Sequence, residues 1–287
     1  MSDLATRPGI RGVLAAATDR LAAAGIAEPR SEALAIWAGV TGSPWQGHGR
    51  EDEPAVNPPI LATFRQAILA RSAGTPRAYA SGVVGFRRLE LGADARALIP
   101  RPETEGLIDL ALDLAPTGHA LDLGTGSGCI ALSLAQEGAW DSVTSVDRSP
   151  EALALARENG RSTGLTVRWV EGVWCQPVQG QRFDLVVSNP PYLTTAEVVA
   201  ADPSVRCWEP AAALDGGADG LDCYRALFAT VPAVLAPHGV LLMEIDARRG
   251  AETAYQAREA GWTAVTITQD LFGRDRYLSA RREAVHD

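Results

Sequence analysis

Apolar positions near the start of the chain follow the three-to-four-residue spacing of amphipathic helices. Three segments show it, residues 10–25, 30–40 and 59–71. Each such helix has one apolar face, which must be buried against a neighbour. The pattern therefore predicts a small helical bundle over residues 1–75, which we take as an N-terminal domain.

The pattern changes after this bundle. Residues 79–99 contain short apolar stretches separated by glycines, which predicts a β-hairpin in a linker over residues 76–100. Pro102 is followed by acidic residues, and carboxylates favour the positive end of a helix dipole. A helix is therefore expected to begin at Pro102, at the start of a main domain over residues 101–287.

From residue 119 onward, short apolar strands alternate with amphipathic helices. This alternation is typical of an α/β fold with a parallel, doubly wound, Rossmann-like sheet. The predicted strands are HALDLG, SVTSVD, TVRWVEG, FDLVVSN, GVLLMEID, AVTITQ and RYLSARR, and the predicted helices are SGCIALSLAQEG, PEALALARENG and residues 250–260.

Composition narrows the classes of function. The 287 residues include 26 Lys plus Arg and 35 Asp plus Glu, and the net charge of −9 argues against tight sequence-independent binding to nucleic acid. The chain has no lysine, which excludes Schiff-base chemistry. Four scattered cysteines without C-x-x-C spacing argue against a zinc site and fit reduced thiols in the cytoplasm. No apolar run approaches the ~20 residues that would predict a membrane span.

A glycine-rich turn follows the first strand of the alternating series, in the motif D-L-G-T-G-S-G. Glycines there let the backbone approach a ligand closely. A dinucleotide fingerprint would require a third glycine where Cys129 stands, so the motif favours S-adenosylmethionine over NAD. We therefore expect Gly124, Thr125, Gly126 and Gly128 to contact S-adenosylmethionine.

Two further residues are candidates for cofactor binding. Asp147 ends the second strand of the series, where an acid can accept the hydroxyl groups of a ribose. Ser149 and Pro150 already supply the start of the following helix, which leaves Asp147 for a ligand. Trp174 follows the third strand and is expected to cover an adenine ring.

The motif Asn189-Pro190-Pro191-Tyr192 ends the fourth strand and opens onto the same edge of the sheet. Its prolines remove backbone donors, so the motif offers acceptors, the Asn189 side-chain oxygen and the Pro190 carbonyl. The Tyr192 ring can pack against a planar group. We predict that the motif binds a planar NH2 group, on an amide or a base, that Asn189, Pro190 and Tyr192 are catalytic, and that Asn189 also contacts the cofactor.

Longer motifs carry a family resemblance along most of the chain. The sequences PRAYASGVVGF, ALIPRPETE, LDLGTGSGCIAL, VVSNPPY, VRCWEPAAALDGGADGLDCYRAL and DLFGRDRYL occur in this order. Together they resemble the HemK/PrmC family, the protein-(glutamine-N5) methyltransferases of peptide chain release factors. The resemblance implies a release-factor-docking N-terminal domain, a seven-strand methyltransferase sheet with an antiparallel last strand, and a monomer. The implied substrate is the glutamine of the release factor's Gly-Gly-Gln loop.

The resemblance also implies roles for residues outside the glycine-rich turn and the Asn-Pro-Pro-Tyr motif. Arg101, Glu103 and Thr104 would lie near the cofactor, and Glu209 and Pro210 in a loop that faces the substrate. Two positions depart from the family pattern. Val173 stands where many members have an acid, and Asp246 where glycine is usual.

Two other functions remain open from sequence alone. A nucleic-acid methyltransferase acting on an exocyclic amine of a base would use the same acceptor motif, although the acidic composition and the PRPETE motif disfavour it. A cofactor-binding protein without catalysis is the other, and the intact Asn189 and Tyr192 argue against it.

Overall fold

The computed structural model describes residues 9–43 and 56–282. The chain divides into two compact units, Met1–Val84 and Gly85–Asp287. The division falls between the boundaries expected at residues 75 and 100, which stay predictions. No helix within the described ranges has both the length and the apolar character needed to cross a membrane.

The first unit is helical, as predicted. Its elements are α1 (Ile10–Ala23), α2 (Pro29–Thr41), α3 (Pro58–Ser72) and the short α4 (Arg77–Ser81). Prolines stand at the first turns of α2 and α3, where their missing N–H groups leave no hydrogen bond unmade. The core of this unit is formed by Val13, Leu14, Ala17, Leu21, Ala33, Ile36, Trp37, Val56, Phe64, Ala67 and Ile68. Residues 1–8 and 44–55 of the predicted bundle lie outside the described residues.

The predicted hairpin is present as a two-stranded sheet, β1 (Val83–Phe86) and β2 (Leu89–Gly92). Arg87 lies in its turn with a positive φ of 50°. The Arg87 guanidinium contacts the Glu137 carboxylate at 2.6 Å, and its backbone N–H donates to Glu105 Oε1 at 3.0 Å. These bonds fix the position of the hairpin turn within the second unit.

The second unit is built on a seven-stranded sheet in the order β5-β4-β3-β6-β7-β9-β8. Its strands are β3 (Thr117–Leu123), β4 (Ala139–Asp147), β5 (Arg168–Glu171), β6 (Phe183–Ser188), β7 (Leu235–Glu244), β8 (Thr263–Gln269) and β9 (Asp275–Arg281). The first five pair in parallel, whereas β9 is antiparallel to both β7 and β8. The seven strands and the antiparallel last strand confirm the predicted fold.

Helices cover both faces of this sheet. They are α5 (Pro102–Leu114), α6 (Cys129–Glu137), α7 (Pro150–Thr163), α8 (Thr195–Ala200), α9 (Pro203–Arg206), α10 (Asp222–Thr230) and α11 (Gly250–Glu259). Leu121 and Leu123 of β3 pack in one apolar cluster with residues of α10 and α11. Side chains alternate along a strand, so Asp122 between them faces the opposite side of the sheet.

The connection between β6 and β7 is more structured than the sequence analysis predicted. It contains α8, α9 and α10, none of which was expected. Tyr224 and Phe228 of α10 are buried in the core, and Leu221 and Val231 flank the helix at the same spacing. These three-to-four-residue intervals were a usable helical signal.

Candidate active site

A cavity opens at the carboxyl ends of β3, β4 and β6. The strand order reverses at β3, with β4 on one side and β6 on the other, and open α/β sheets bind ligands at such a point. Six of the residues predicted to contact the cofactor line this cavity, namely Gly124, Thr125, Gly126, Asp147, Trp174 and Asn189.

The glycine-rich turn folds back on the end of β4. Gly124, Gly126 and Gly128 have φ values of +75°, +56° and +85°. Residues that carry a Cβ atom adopt such backbone conformations only with strain. Gly128 is absent from the cavity wall and caps the start of α6. A Cβ at Gly128 would lie 2.9 Å from the Trp169 ring, so this glycine permits close packing behind the turn.

Asp147 is held by backbone groups at the rim of the cavity. Its Oδ2 accepts from the Gly126 N–H at 2.8 Å, and its Oδ1 accepts from the Ser149 N–H at 2.9 Å. Ser149 is the N-cap of α7, as predicted, and its hydroxyl accepts from the Ala152 N–H. Each Asp147 oxygen keeps further lone-pair capacity, so the carboxylate can accept two hydroxyl groups from one side.

Trp174 forms an aromatic wall near the glycine-rich turn. It has a φ of 47°, and a Cβ at Gly124 would come within 3.8 Å of its ring. A flat aromatic surface, a carboxylate acceptor and a glycine backbone fit the base, ribose and chain of an adenosine-based cofactor. Within the described ranges, no group of three or more His, Cys, Asp or Glu side chains could hold a metal ion.

The acceptor motif lies at the far end of the same cavity. Asn189 and Pro191 line it, whereas Pro190 is buried and Tyr192 lies behind the wall, packed against the core. Asn189 Nδ2 donates to the Thr104 hydroxyl at 3.0 Å. The Tyr192 hydroxyl donates to Glu244 Oε1 at 3.4 Å, and burial raises the tyrosine pKa well above its usual value.

Asp122 lies beneath the glycine-rich turn and is fully buried. Its Oδ2 accepts from the Thr125 hydroxyl at 2.6 Å and from the Ser145 hydroxyl at 3.4 Å, and its Oδ1 has no hydrogen-bond partner. Burial is the main cause that raises the pKa of Asp122 to about 7, and the nearby charge of Asp147 adds to it. Asp122 is thus a buried acid that titrates near neutral pH.

Glu209 connects two segments that line the cavity. Its buried carboxylate accepts from Arg101 Nη2 at 2.5 Å and from the Ile99 N–H at 3.2 Å. Pro210 beside it lines the cavity, as do Ile99 and Arg101. Glu209 therefore fixes the loop after α9 to the segment before α5.

Comparison with known proteins identifies the family. Residues 12–82 match the model of the PrmC N-terminal domain, and residues 104–202 match that of the methyltransferase small domain. A release factor glutamine methyltransferase from Deinococcus radiodurans is 42% identical over 276 residues, which cover 95% of this chain and 98% of that protein. One from Cereibacter sphaeroides is 42% identical over 284 residues, which cover 94% and 98% of the two chains.

The chain belongs to the release factor glutamine methyltransferase family. Solved structures agree in fold. A methyltransferase from Pyrococcus furiosus has a TM-score of 0.52 at 18% identity, over 68% of this chain and 90% of its own. The catalytic domain of hMettl16 has a TM-score of 0.53 at 16% identity, over 84% and 88%.

The two departures from the family pattern lie in different surroundings. Val173 lines the cavity and is 41% exposed, so it presents an apolar side chain to the cavity. Asp246 is buried and does not line the cavity. Its carboxylate contacts Arg248 and Arg249, and Arg249 Nη2 in turn bonds Glu197 Oε2 of α8 at 2.8 Å. Asp246 thus joins the end of β7 to the segment after the acceptor motif.

Sequence reasoning missed Glu244, which ends β7 and is 1% exposed. Its Oε2 accepts from the Thr104 hydroxyl at 2.6 Å. A carboxylate at the end of a parallel strand next to the acceptor strand was a signal that could have singled it out. It also missed Cys223 of α10, which lines the cavity. This member of the release factor glutamine methyltransferase family thus builds its cavity from more segments than the short motifs indicate.

Proposed function

We propose that this chain transfers the methyl group of S-adenosylmethionine to the side-chain amide nitrogen, N5, of the glutamine in the Gly-Gly-Gln loop of a peptide chain release factor. One observation supports this most strongly. The cofactor candidates Asp147 and Trp174 and the acceptor residue Asn189 line one cavity in a chain that matches release factor glutamine methyltransferases over almost its full length.

The residues of the cavity suit a weak nucleophile. An amide nitrogen shares its lone pair with its carbonyl, and S-adenosylmethionine supplies a methyl group on a positively charged sulfur. Transfer would break the bond from the methyl carbon to sulfur as the bond to nitrogen forms, which leaves S-adenosylhomocysteine and releases one proton from the nitrogen. The Asn189 Oδ1 atom and the Pro190 carbonyl oxygen accept the two N–H groups of the glutamine and turn its lone pair toward the cofactor end. Such positioning contributes ~7–11 kcal/mol to catalysis in favourable cases, and fixed dipoles stabilise the charge that develops on nitrogen.

The N-terminal helices, within residues 1–75, serve in this proposal to dock the release factor. Arg20 and Arg65 line a groove between α1 and α3. If these helices dock the substrate, a whole release factor will have a much lower KM than a short Gly-Gly-Gln peptide. Charge reversal at both arginines will then raise the KM of the release factor toward that of the peptide. An equal effect of charge reversal on both substrates would contradict docking by this face. We expect the protein to act as a monomer in the cytoplasm.

The proposed activity is tested by incubating the protein with methyl-labelled S-adenosylmethionine and either a release factor or RNA. Label on the release factor glutamine is the expected result, located by mass spectrometry of the Gly-Gly-Gln peptide. Label on RNA alone would establish the alternative base methyltransferase. Binding of S-adenosylmethionine without transfer to either would indicate a binding protein.

The role of Asn189 is tested by Asn189→Ala. We expect transfer to be lost while affinity for S-adenosylhomocysteine, measured by calorimetry, stays within about tenfold, since one hydrogen bond is worth about that factor. A variant that kept most of its rate would contradict the role of the Asn189 oxygen.

A further inference from the structure

A chain of hydrogen bonds begins at the acceptor end of the cavity, which Asn189 and Thr104 both line, and runs to the buried Glu244. Asn189 Nδ2 donates to Thr104 Oγ1 at 3.0 Å, and Thr104 Oγ1 donates to Glu244 Oε2 at 2.6 Å. Thr104 is 2% exposed and Glu244 1%. Asn189 directly follows β6, Thr104 lies at the start of α5 and Glu244 ends β7, so only the folded domain brings them together.

The bonding capacity of each group gives this chain one direction. An ionised carboxylate only accepts hydrogen bonds, and 2.6 Å is the separation typical of a hydroxyl that donates to a carboxylate. The Thr104 hydroxyl has a single proton, which it uses to donate a hydrogen bond to Glu244. Thr104 can therefore only accept a hydrogen bond from Asn189. The Asn189 group that faces Thr104 must therefore be its NH2, and the carbonyl oxygen Oδ1 points away from Thr104.

The hydrogen-bond donors around Glu244 favour this direction. Burial raises the pKa of Glu244 overall, and the Thr104 hydrogen bond and the positive charge of Arg276 on β9 offset part of that rise. The second carboxylate oxygen receives the Tyr192 hydroxyl at 3.4 Å. Both oxygens of Glu244 thus face donors.

We propose that Thr104 and Glu244 are positioning residues, which hold the Asn189 carboxamide so that Oδ1 is presented to an incoming N–H group. This rests on the proposed function, in which that group is the glutamine amide. A free carboxamide can rotate by half a turn and present its NH2 instead, which would set donor against donor. The bond to Thr104 removes this second orientation before the substrate arrives.

The orientation is measured directly by NMR. The chain has three asparagines, Asn57, Asn159 and Asn189, so asparagine-selective ¹⁵N labelling gives three side-chain NH2 pairs. The Asn189→Ala variant identifies the pair that belongs to Asn189. Thr104→Val is expected to change the chemical shifts of the Asn189 NH2 signals and to speed their exchange with solvent about tenfold. Thr104→Ser keeps the hydroxyl and should leave both the chemical shifts and the exchange rate unchanged.

Two controls separate this effect from general damage. The Asn159 NH2 donates to the carbonyls of Ser127 and Gly92 and must stay unchanged in every variant. Thr253→Val removes a buried hydroxyl that donates to the Arg249 carbonyl at 2.8 Å. This variant should not change the signals of the Asn189 NH2 group. An unchanged Asn189 pair in Thr104→Val would overturn the inference, whether or not the protein methylates a release factor.

Kinetics with the release factor give a second readout. Thr104→Val and Glu244→Met should each lower kcat about tenfold with little change in KM, and the double variant should lose no more than either alone, because both act through Asn189. Glu244→Gln retains an acceptor for Thr104 and should restore most of kcat. Additive losses, or no rescue by Gln and Ser, would refute the positioning role. Failure of the wild type to methylate a release factor would refute the proposed function alone, because the NMR test does not depend on transfer.

Discussion

The buried carboxyl of Asp122 should make stability fall as pH rises toward neutrality. Its pKa moves from 3.8 in the unfolded chain to about 7 in the folded protein, mainly because burial disfavours the charge. A raised pKa means that the folded state binds the proton more tightly, so this stabilisation is complete below the unfolded pKa and is lost as pH rises through the folded one. Roughly three pKa units at 1.36 kcal/mol each give about 4 kcal/mol in total.

The substitution Asp122→Asn removes this titration while keeping the size of the side chain. Between pH 5 and pH 8, the variant should gain roughly 2 to 3 kcal/mol in unfolding free energy relative to the wild type. Urea unfolding at several pH values measures the difference, in which the effects of all other titrating groups cancel. Asp113→Asn on the exposed face of α5 is the control for removal of one carboxyl group from the chain.

A difference between wild type and Asp122→Asn that stays constant within about 1 kcal/mol from pH 5 to pH 8 would refute the argument. It would mean that Asp122 keeps one protonation state over this range. If that state is the carboxylate, its Oδ1 atom, which has no hydrogen-bond partner in the structure, must acquire one in solution.

Other predictions concern the cavity and the turn beside it. Gly128→Ala should lower the free energy of unfolding by about 3 kcal/mol, because it combines backbone strain with overlap on the Trp169 ring. Gly164→Ala, which has open space around it, should lower it by only about 1 kcal/mol. Thermal or urea unfolding measures both changes. Cys223 lines the cavity and burial raises its pKa to about 11, so its alkylation at pH 9 should be slow and S-adenosylhomocysteine should slow it further, as mass spectrometry can show. The exposed Cys207 should react equally fast with and without that ligand, and equal protection of both thiols would contradict binding at this cavity.

Local patterns in the sequence were sufficient for much of this structure. The strand–helix alternation gave the sheet, the Ser149 cap was correct, and the glycine-rich turn was placed at the end of β3. Spacing alone did not show which side of the turn each glycine faces, and Gly128 packs against Trp169 behind it. Motif spacing is a one-dimensional property, whereas the direction of a residue depends on the backbone around it.

The strand-end position of Glu244 could be found from the sequence, but the contacts that support the acceptor site could not. Thr104 and Glu244 are 140 positions apart in sequence, and their hydrogen bond exists only because α5 packs beside β7. Asp246 was noted only as a departure from a family pattern, and its ion pairs with Arg248 and Arg249 depend on the turn after β7. Contacts of this kind follow from tertiary packing, for which a single sequence carries no local signal.

The place of β9 between β7 and β8 has a consequence for the synthesis of this protein. β7 cannot complete its pairing until residues 275–281, which are translated after every other strand described, have left the ribosome. Tyr277 of that strand donates its hydroxyl to the Glu103 carbonyl, beside Thr104, and pairs with Glu244 across the ladder. The acceptor site is therefore assembled at the end of translation, and a nascent chain that stops before β9 will have no competent active site.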